Sequence, residues 1–203
     1  RIIITNCSMQ SKSAAVRVGF MASKVRDVLI SNLTIHDTNR GFAIFAGDDG
    51  WVENVSIQNI VMQTQMFAGD WWGKGEPLVI CAAQSQGHIR HIQIRGVAAR
   101  AENGIILVGD SQNIQNIVLE DWTLELSQGK NHALFHGIID LQPAEYLQRT
   151  TTFSPFLYAS EIQDLQVTNM SYRAPQNNEQ KSSPEPLIEN SNRVKLQNVN
   201  EIH

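Results

Sequence analysis

Apolar and polar positions alternate along the chain in a pattern that recurs about every 26 residues. Each copy reads apolar-x-apolar-x-Asn-apolar, with Asn replaced by Gly or Asp in two copies, and is rich in β-branched residues. Period-two alternation of this kind predicts short strands and argues against helices. The seven copies begin at Ile2, Val28, Val55, Ile92, Ile117, Leu165 and Val194. The third and fifth repeats are longer than the others, which indicates insertions.

A second apolar run follows most copies and predicts a second strand in each of those repeats. These runs are Ala15–Gly19, Gly41–Ala46, Leu78–Cys81, Gly104–Gly109, Gly137–Leu141 and Pro186–Ile188. One repeat cannot bury its apolar side alone, whereas stacked repeats share an interior. We therefore expect residues 1–203 to form an all-β fold, a single-stranded parallel β-helix of about seven coils. A sandwich of unrelated strands fits less well, because hairpin turn pairs are scarce between the repeats.

The Asn position of the repeat predicts a corner between strands. Asn, Asp and Gly tolerate the left-handed backbone conformation that such a corner needs. The seven corner residues are Asn6, Asn32, Asn59, Gly96, Asp121, Asn169 and Asn198. Amides at equivalent corners can also hydrogen-bond to one another along the stack. This explains part of the composition, in which 16 Asn and 17 Gln outnumber the 16 Lys and Arg by about two to one.

The charge balance excludes some classes of function. The net charge is −4 and only 18% of residues are charged, so a strongly basic surface for nucleic acid is not expected, although a local patch stays possible. The sequence has no apolar run long enough to span a membrane. The two cysteines, Cys7 and Cys81, have no metal-binding spacing, and free thiols are favoured over a single bridge.

The insertion at residues 62–77 contains the most distinctive candidate for binding. Glycines interrupt it, and it holds two of the four tryptophans of the chain. Trp71 and Trp72 offer flat apolar faces on which a sugar ring can stack, and Asp70 and Glu76 can transfer protons or bind hydroxyl groups. Lys74 lies between them in sequence. The alternative is that the tryptophans cover the stacked strands while both carboxylates cap turns.

Other polar residues give weaker signals. The run Gly47–Gly50 contains adjacent carboxylates, but Asp-Asp-Gly after a strand is more typical of a turn. Arg17 points outward from its strand and can serve either as a solvated side chain or as a contact for an anionic substrate. The six histidines lack a third ligand at zinc-binding spacing, so we expect no metal and no cofactor.

The second strands present apolar residues on both faces. The outward set is Phe45, Val79, Cys81, Ile106 and Val108. A contiguous stripe of this kind is too apolar to lie bare in water. We expect the inserted segments, residues 62–77 and 123–161, or a partner chain to cover it. Residues 174–186, rich in Pro, Asn, Gln and Ser, predict a flexible loop.

The repeats, the Asn corners and the strings VRDVLISNLTIHDTNRGFAIFAGDDGWVENVSIQNIVMQT and GDWWGKGEPLVI resemble glycoside hydrolase family 28. This polygalacturonase-like group belongs to the pectin-lyase-like superfamily of right-handed parallel β-helices. The resemblance covers about residues 1–120 and is closest to divergent bacterial members. It implies a right-handed coil, secretion or a periplasmic location, and a polysaccharide as partner.

The resemblance also implies inverting hydrolysis of galacturonan or pectin by aspartates, whose carboxylates lie about 6.5–9.5 Å apart in inverting enzymes. The family's Gly-His-Gly motif falls where this chain has Ala14, and its Arg-x-Lys falls at Ala43 and Phe45. Asp48 and Asp49 follow their strand and do not open it, so they do not match the family's acid pair. We therefore expect the acids before Arg1, in a longer β-helix of which this chain is the C-terminal part.

Three functions stay open. The first is a glycoside hydrolase in which Asp70 and Glu76 are the catalytic candidates and Trp71, Trp72, Lys74, Arg17 and Arg40 contact substrate. The second is a non-catalytic glycan-binding or structural β-helix of the adhesin or tailspike type. The third is a polysaccharide lyase on the same fold, which would need Ca²⁺ and a basic residue. The sequence leaves the oligomeric state unknown.

Overall fold

The computed structural model describes residues 1–67, 72–83, 86–131, 138–143, 148–150, 155–175 and 185–202. Within these ranges the protein is all-β, without a helix. The strands are β1 (Ile2–Val18), β2 (Lys24–Phe45), β3 (Trp51–Thr64), β4 (Leu78–Cys81), β5 (His88–Ala101), β6 (Ile105–Val108), β7 (Ile114–Leu126), β8 (Ile138–Asp140), β9 (Gln148–Thr150), β10 (Leu157–Ser160), β11 (Ile162–Arg173), β12 (Leu187–Glu189) and β13 (Asn192–Glu201).

Eleven strands form one curled sheet in which all described pairs are parallel. The long strands β1, β2, β3, β5, β7, β11 and β13 follow one another in sequence order. Their first repeat residues are paired in the order Ile2, Val28, Val55, Ile92, Ile117, Leu165 and Val194. The predicted repeats are therefore stacked in register, and the apolar positions of each lie directly over those of the next.

The corner prediction is confirmed at all seven positions. Asn6, Asn32, Asn59, Gly96, Asp121, Asn169 and Asn198 all have φ between 54° and 64°. The amide nitrogen of one corner donates to the side-chain oxygen of the previous corner, as Asn32 does to Asn6 and Asn59 to Asn32, both at 3.0 Å. Asn169 donates to Asp121 and Asn198 donates to Asn169, both at 3.1 Å. Gly96 interrupts this ladder.

A second row of corners was not predicted. Asp27, Asn54, His91, Asn116, Asp164 and Arg193 also have positive φ, between 53° and 59°. Each of them directly precedes the first apolar residue of its repeat. His and Arg occur at two of the six positions, so residue type alone gave little sign of this bend.

The short second strands are also parallel and stacked in sequence order. The end of β2 pairs with β4, β4 pairs with β6, β6 pairs with β10, and β10 pairs with β12. The prediction for the fifth repeat is wrong. β10, and not the run Gly137–Leu141, pairs with β6 in the sheet. Ile138–Asp140 forms a separate antiparallel pair with β9, and Gly137 lies outside the described residues. The insertion is long enough for its apolar run to serve as an outer cover while a later run completes the sheet.

The segment that contains β8 covers the outward apolar residues of the second strands. Phe45, Val79, Cys81, Ile106 and Val108 are all buried, and they cluster with Ile139, Leu141 and Tyr158. The expectation that an insertion covers this face is confirmed, because Ile139 and Leu141 belong to the fifth-repeat insertion. The larger apolar cluster fills the interior of the curled sheet, where Trp122 donates from its indole nitrogen to the Ile94 carbonyl at 3.1 Å.

Cys7 and Cys81 are free thiols, as favoured from the sequence; Cys81 is buried and Cys7 is partly buried. Among the predicted insertions, residues 62–64 belong to β3 and residues 123–126 to β7. Much of the 174–186 segment, residues 176–184, lies outside the described residues.

Candidate functional site

Two insertions meet beside the end of the β2 strand. The loop that follows β3 approaches β8, and the two segments join through four charged residues. Arg40 lies on β2, Lys74 and Glu76 lie in the loop before β4, and Asp140 ends β8. All four side chains are at most 2% exposed. They are called the ion cluster below.

The ion cluster is balanced, with two cations and two anions. Arg40 Nε donates to Glu76 Oε2 at 3.1 Å, and Lys74 Nζ donates to Asp140 Oδ2 at 3.0 Å. The Arg40 guanidinium also donates to the carbonyls of Asp140 and Gln142. Buried charges are costly unless they are paired and hydrogen-bonded. The pairing therefore ties both insertions to β2.

Backbone N–H groups of the two insertions also donate to the carboxylates of the ion cluster. Asp140 accepts from Gly73 N and from Gln142 N, both at 2.9 Å, and Glu76 accepts from Lys74 N at 2.8 Å. Gly73 has φ of 101°, a conformation that side chains disfavour, and it lies against Arg40. A glycine here lets the loop backbone approach the guanidinium closely.

One side of the cluster is less completely bonded. The described residues give no hydrogen-bond partner to Glu76 Oε1 or to Asn39 Oδ1, and both atoms are buried. The Asn39 amide nitrogen donates instead to the carbonyls of Trp72 and Gly73, at 2.7 and 3.2 Å. Asn39 thus fixes the backbone at the only tryptophan of the loop that the structure describes.

The candidate site residues fall into three groups. Arg40, Lys74 and Glu76 come together in the ion cluster and are buried. Trp72 is half-buried beside it, whereas Asp70 and Trp71 lie outside the described residues. Arg17 is exposed on β1, with its guanidinium 4.8 Å from the centre of the Phe20 ring, and it makes no described contact with the cluster. The assignment of all these candidate residues to catalysis or substrate binding stays a prediction.

Glu102 is a carboxylate that sequence reasoning missed. It accepts from Met66 N at 2.8 Å, at the start of the same loop. Burial raises the pKa of Glu102 above its ordinary value of 4.5, and the hydrogen bond from Met66 opposes this shift. Gly129 approaches its carboxylate so closely that a larger residue would collide with it. A raised pKa suits proton transfer, but no sequence motif marks this Glu.

The turn interpretation of Gly47–Gly50 agrees with the structure. Gly50 N donates to the Gly47 carbonyl at 2.8 Å, and Asp48 has φ of 48°. The Asp49 carboxylate forms an exposed ion pair with Lys24 at 3.1 Å. The backbone of Asp48 therefore forms part of a turn, and the Asp49 carboxylate is engaged in a local ion pair.

Within the described ranges, no group of three or more His, Cys, Asp or Glu side chains is arranged to hold a metal ion. The same residues include no helix long and apolar enough to cross a membrane. Within the described residues, fold and site define an all-β protein with a curled parallel sheet and a buried ion cluster beside Trp72. Compared with known protein families, curated proteins and solved structures, the chain matches none of them.

Proposed function

We propose that the curled sheet is a right-handed parallel β-helix of about seven coils, and that the protein acts on carbohydrate. The seven repeats are stacked in register, which is what a rod of this type requires. The side of such a rod offers an extended surface along which a long polysaccharide can bind. Secretion or a periplasmic location belongs to the same proposal.

The observation that carries the proposal is the anchoring of the tryptophan loop. A binding platform has to be rigid, because ordering a mobile loop on binding costs affinity. The ion cluster and Asn39 hold the backbone at Trp72, and Trp72 as a residue is half-buried. Rigid support beneath a partly accessible aromatic ring favours stacking against a sugar.

In the proposed reaction, a galacturonan or pectin-type polysaccharide is hydrolysed with inversion, so that one carboxylic acid protonates the leaving oxygen and a second carboxylate takes a proton from the attacking water. Trp71 and Trp72 contact the sugar rings, and Asp70 and Glu76 are the catalytic candidates of the loop. Glu76 is fully buried against Arg40, so its contribution in this arrangement is to position the loop. Proton transfer by Glu76 would require the cluster to open.

A non-catalytic glycan-binding function is the second candidate. The burial and ion pairing of the two carboxylates in the ion cluster favour this function. Glu76 and Asp140 are both buried and both paired with cations. A loop built in this way can bind a sugar without carrying out acid–base chemistry on it.

The test is a product assay with a panel of polysaccharides that includes homogalacturonan, a neutral glucan and alginate. Reducing ends and the absorbance of unsaturated sugars are recorded together. New reducing ends without unsaturated products support hydrolysis, and unsaturated products identify a lyase. Retention on a homogalacturonan column without any product supports binding alone. Neither product nor retention on any member of the panel contradicts a carbohydrate function.

A further inference from the structure

The two departures from Asn in the corner ladder are consecutive. Gly96 and Asp121 occupy neighbouring repeats, between Asn59 on one side and Asn169 on the other. In the rest of the ladder each amide donates to the previous corner and accepts from the next. At Gly96 there is no side chain, so the ladder has neither a donor nor an acceptor at this step.

The corners on both sides of this position carry acceptor oxygens, and both corner residues are exposed to solvent. The Asn59 amide nitrogen is used on Asn32, at 3.0 Å, which turns its oxygen toward Gly96. That oxygen lies 3.9 Å from where a Cβ on Gly96 would be. Asp121 Oδ1 accepts from Asn169, which leaves Oδ2 without a donor among the described residues. A carboxamide cannot satisfy both neighbours, because one of its two ends is an oxygen.

A guanidinium can satisfy both. It is planar like an amide, but it presents N–H groups along its whole edge and has no acceptor. Asn59 and Asp121 are separated by two strand spacings, roughly 10 Å at about 4.8 Å per strand, which leaves room for one planar group between them. The negative charge of Asp121 favours a cation over a neutral urea or amide.

The neighbouring surface suits the rest of such a side chain. A groove of about 550 Å³ runs past Asn59, Gly96 and Asp121. One wall is formed by Val61, which is 60% exposed, and by Ala98, its partner on the next strand. Apolar stems of long cationic side chains lie readily on such patches. Arg95 directly precedes Gly96, and its guanidinium donates to Gln93 Oε1 at 2.7 Å.

We propose that this corner is a docking site for an arginine side chain of a partner polypeptide. The guanidinium would take the position of the missing corner amide, donating to Asn59 Oδ1 and to Asp121, while the stem lies over Val61 and Ala98. The site lies in the corner row, separate from the tryptophan loop, so it stands or falls independently of a carbohydrate function.

The experiment is a titration of the ¹⁵N-labelled full chain with N-acetyl-arginine methylamide. The Gly96 backbone amide and the Asn59 side-chain amide report binding. The citrulline and lysine derivatives are the matched ligands, since citrulline replaces one nitrogen of the fork by oxygen and lysine lacks the planar fork. We expect saturable shifts at both signals with the arginine derivative in the millimolar range, and at least several-fold weaker binding of the other two.

The variant Asp121→Asn should weaken arginine binding about tenfold, since it removes the charge-assisted bond. Asp110→Asn, at an exposed turn on another part of the surface, should leave it unchanged. Unshifted spectra elsewhere show that each variant is folded. The proposal is overturned by non-saturating shifts, by equal binding of the three ligands, or by unchanged affinity in Asp121→Asn.

Discussion

Asp140→Asn is expected to destabilise the protein far more than the loss of a single hydrogen bond. Asp140 is fully buried and accepts from Gly73 N, Lys74 Nζ and Gln142 N at 2.9 to 3.0 Å. The asparagine keeps the size of the side chain and one acceptor oxygen, but among the four residues of the ion cluster it leaves Glu76 as the only anion beside two buried cations. Breaking a buried ion pair from one side costs about 3–5 kcal/mol.

The matched control is Asp49→Asn. Asp49 forms an ion pair with Lys24 at 3.1 Å, close to the 3.0 Å between Asp140 and Lys74, but its side chain is 68% exposed. Exposed pairs contribute about 0–1 kcal/mol. Urea unfolding followed by tryptophan fluorescence gives the free energy of unfolding of each variant. Equal losses in the two variants would refute the reasoning, because it attributes the larger loss to the burial of Asp140 and to the backbone hydrogen bonds that Asp140 accepts in addition to its ion pair.

Three further predictions concern the loop and the ladder. Glu102→Gln should stabilise the protein relative to wild type increasingly as pH rises above about 4. Burial raises the pKa of Glu102, so folding favours its neutral form. A pH-independent difference in the free energy of unfolding would contradict this. Gly96→Asn alone should change the urea midpoint little, because the new amide oxygen would meet the Asp121 carboxylate. In the Asp121→Asn background the same substitution should raise the free energy of unfolding by about 0.5–1.5 kcal/mol. Additive effects in the double-mutant cycle would exclude this conflict between two acceptors. Trp72→Ala should lower the affinity for oligogalacturonides without changing the thermal midpoint, and Trp51→Ala is the control, since Trp51 stacks on His88 away from the loop.

The repeated strands and their corners could be predicted because each carries a local signal. Period-two alternation marks a strand, and the Asn of each repeat marks a left-handed residue whose backbone conformation other side chains disfavour. Seven copies of one pattern also predict stacking, since no copy can bury its apolar face alone. The register of Ile2 over Val28 follows directly from aligning the copies.

The assignment of the fifth repeat failed because two apolar runs lie in the same insertion. Ile138–Asp140 and Leu157–Ser160 are both short and β-prone, and only the contacts between repeats decide which one joins the sheet. The run nearer in sequence covers the outer stripe instead. Loop length alone carries little information about this choice, because loop closure becomes only slowly more costly with length.

The ion cluster could not be predicted from the sequence. Arg40 and Asp140 are 100 residues apart, and each is unremarkable in its local context. Lys74 and Glu76 stood out as members of a tryptophan loop, a pattern that does not distinguish a solvent-facing charge from a buried one. Glu102 was missed for the same reason, since its raised pKa arises from partial burial in the folded structure.

The central claim is that the anchored tryptophan loop binds an acidic polysaccharide. The measurement that tests it most directly is calorimetric titration of the intact protein with a defined oligogalacturonide, alongside a neutral oligosaccharide of the same length. The account predicts saturable binding of the oligogalacturonide, which weakens in Trp72→Ala and is unchanged in Trp51→Ala. No heat of binding with the wild-type protein, or equal binding by all three proteins, would contradict it.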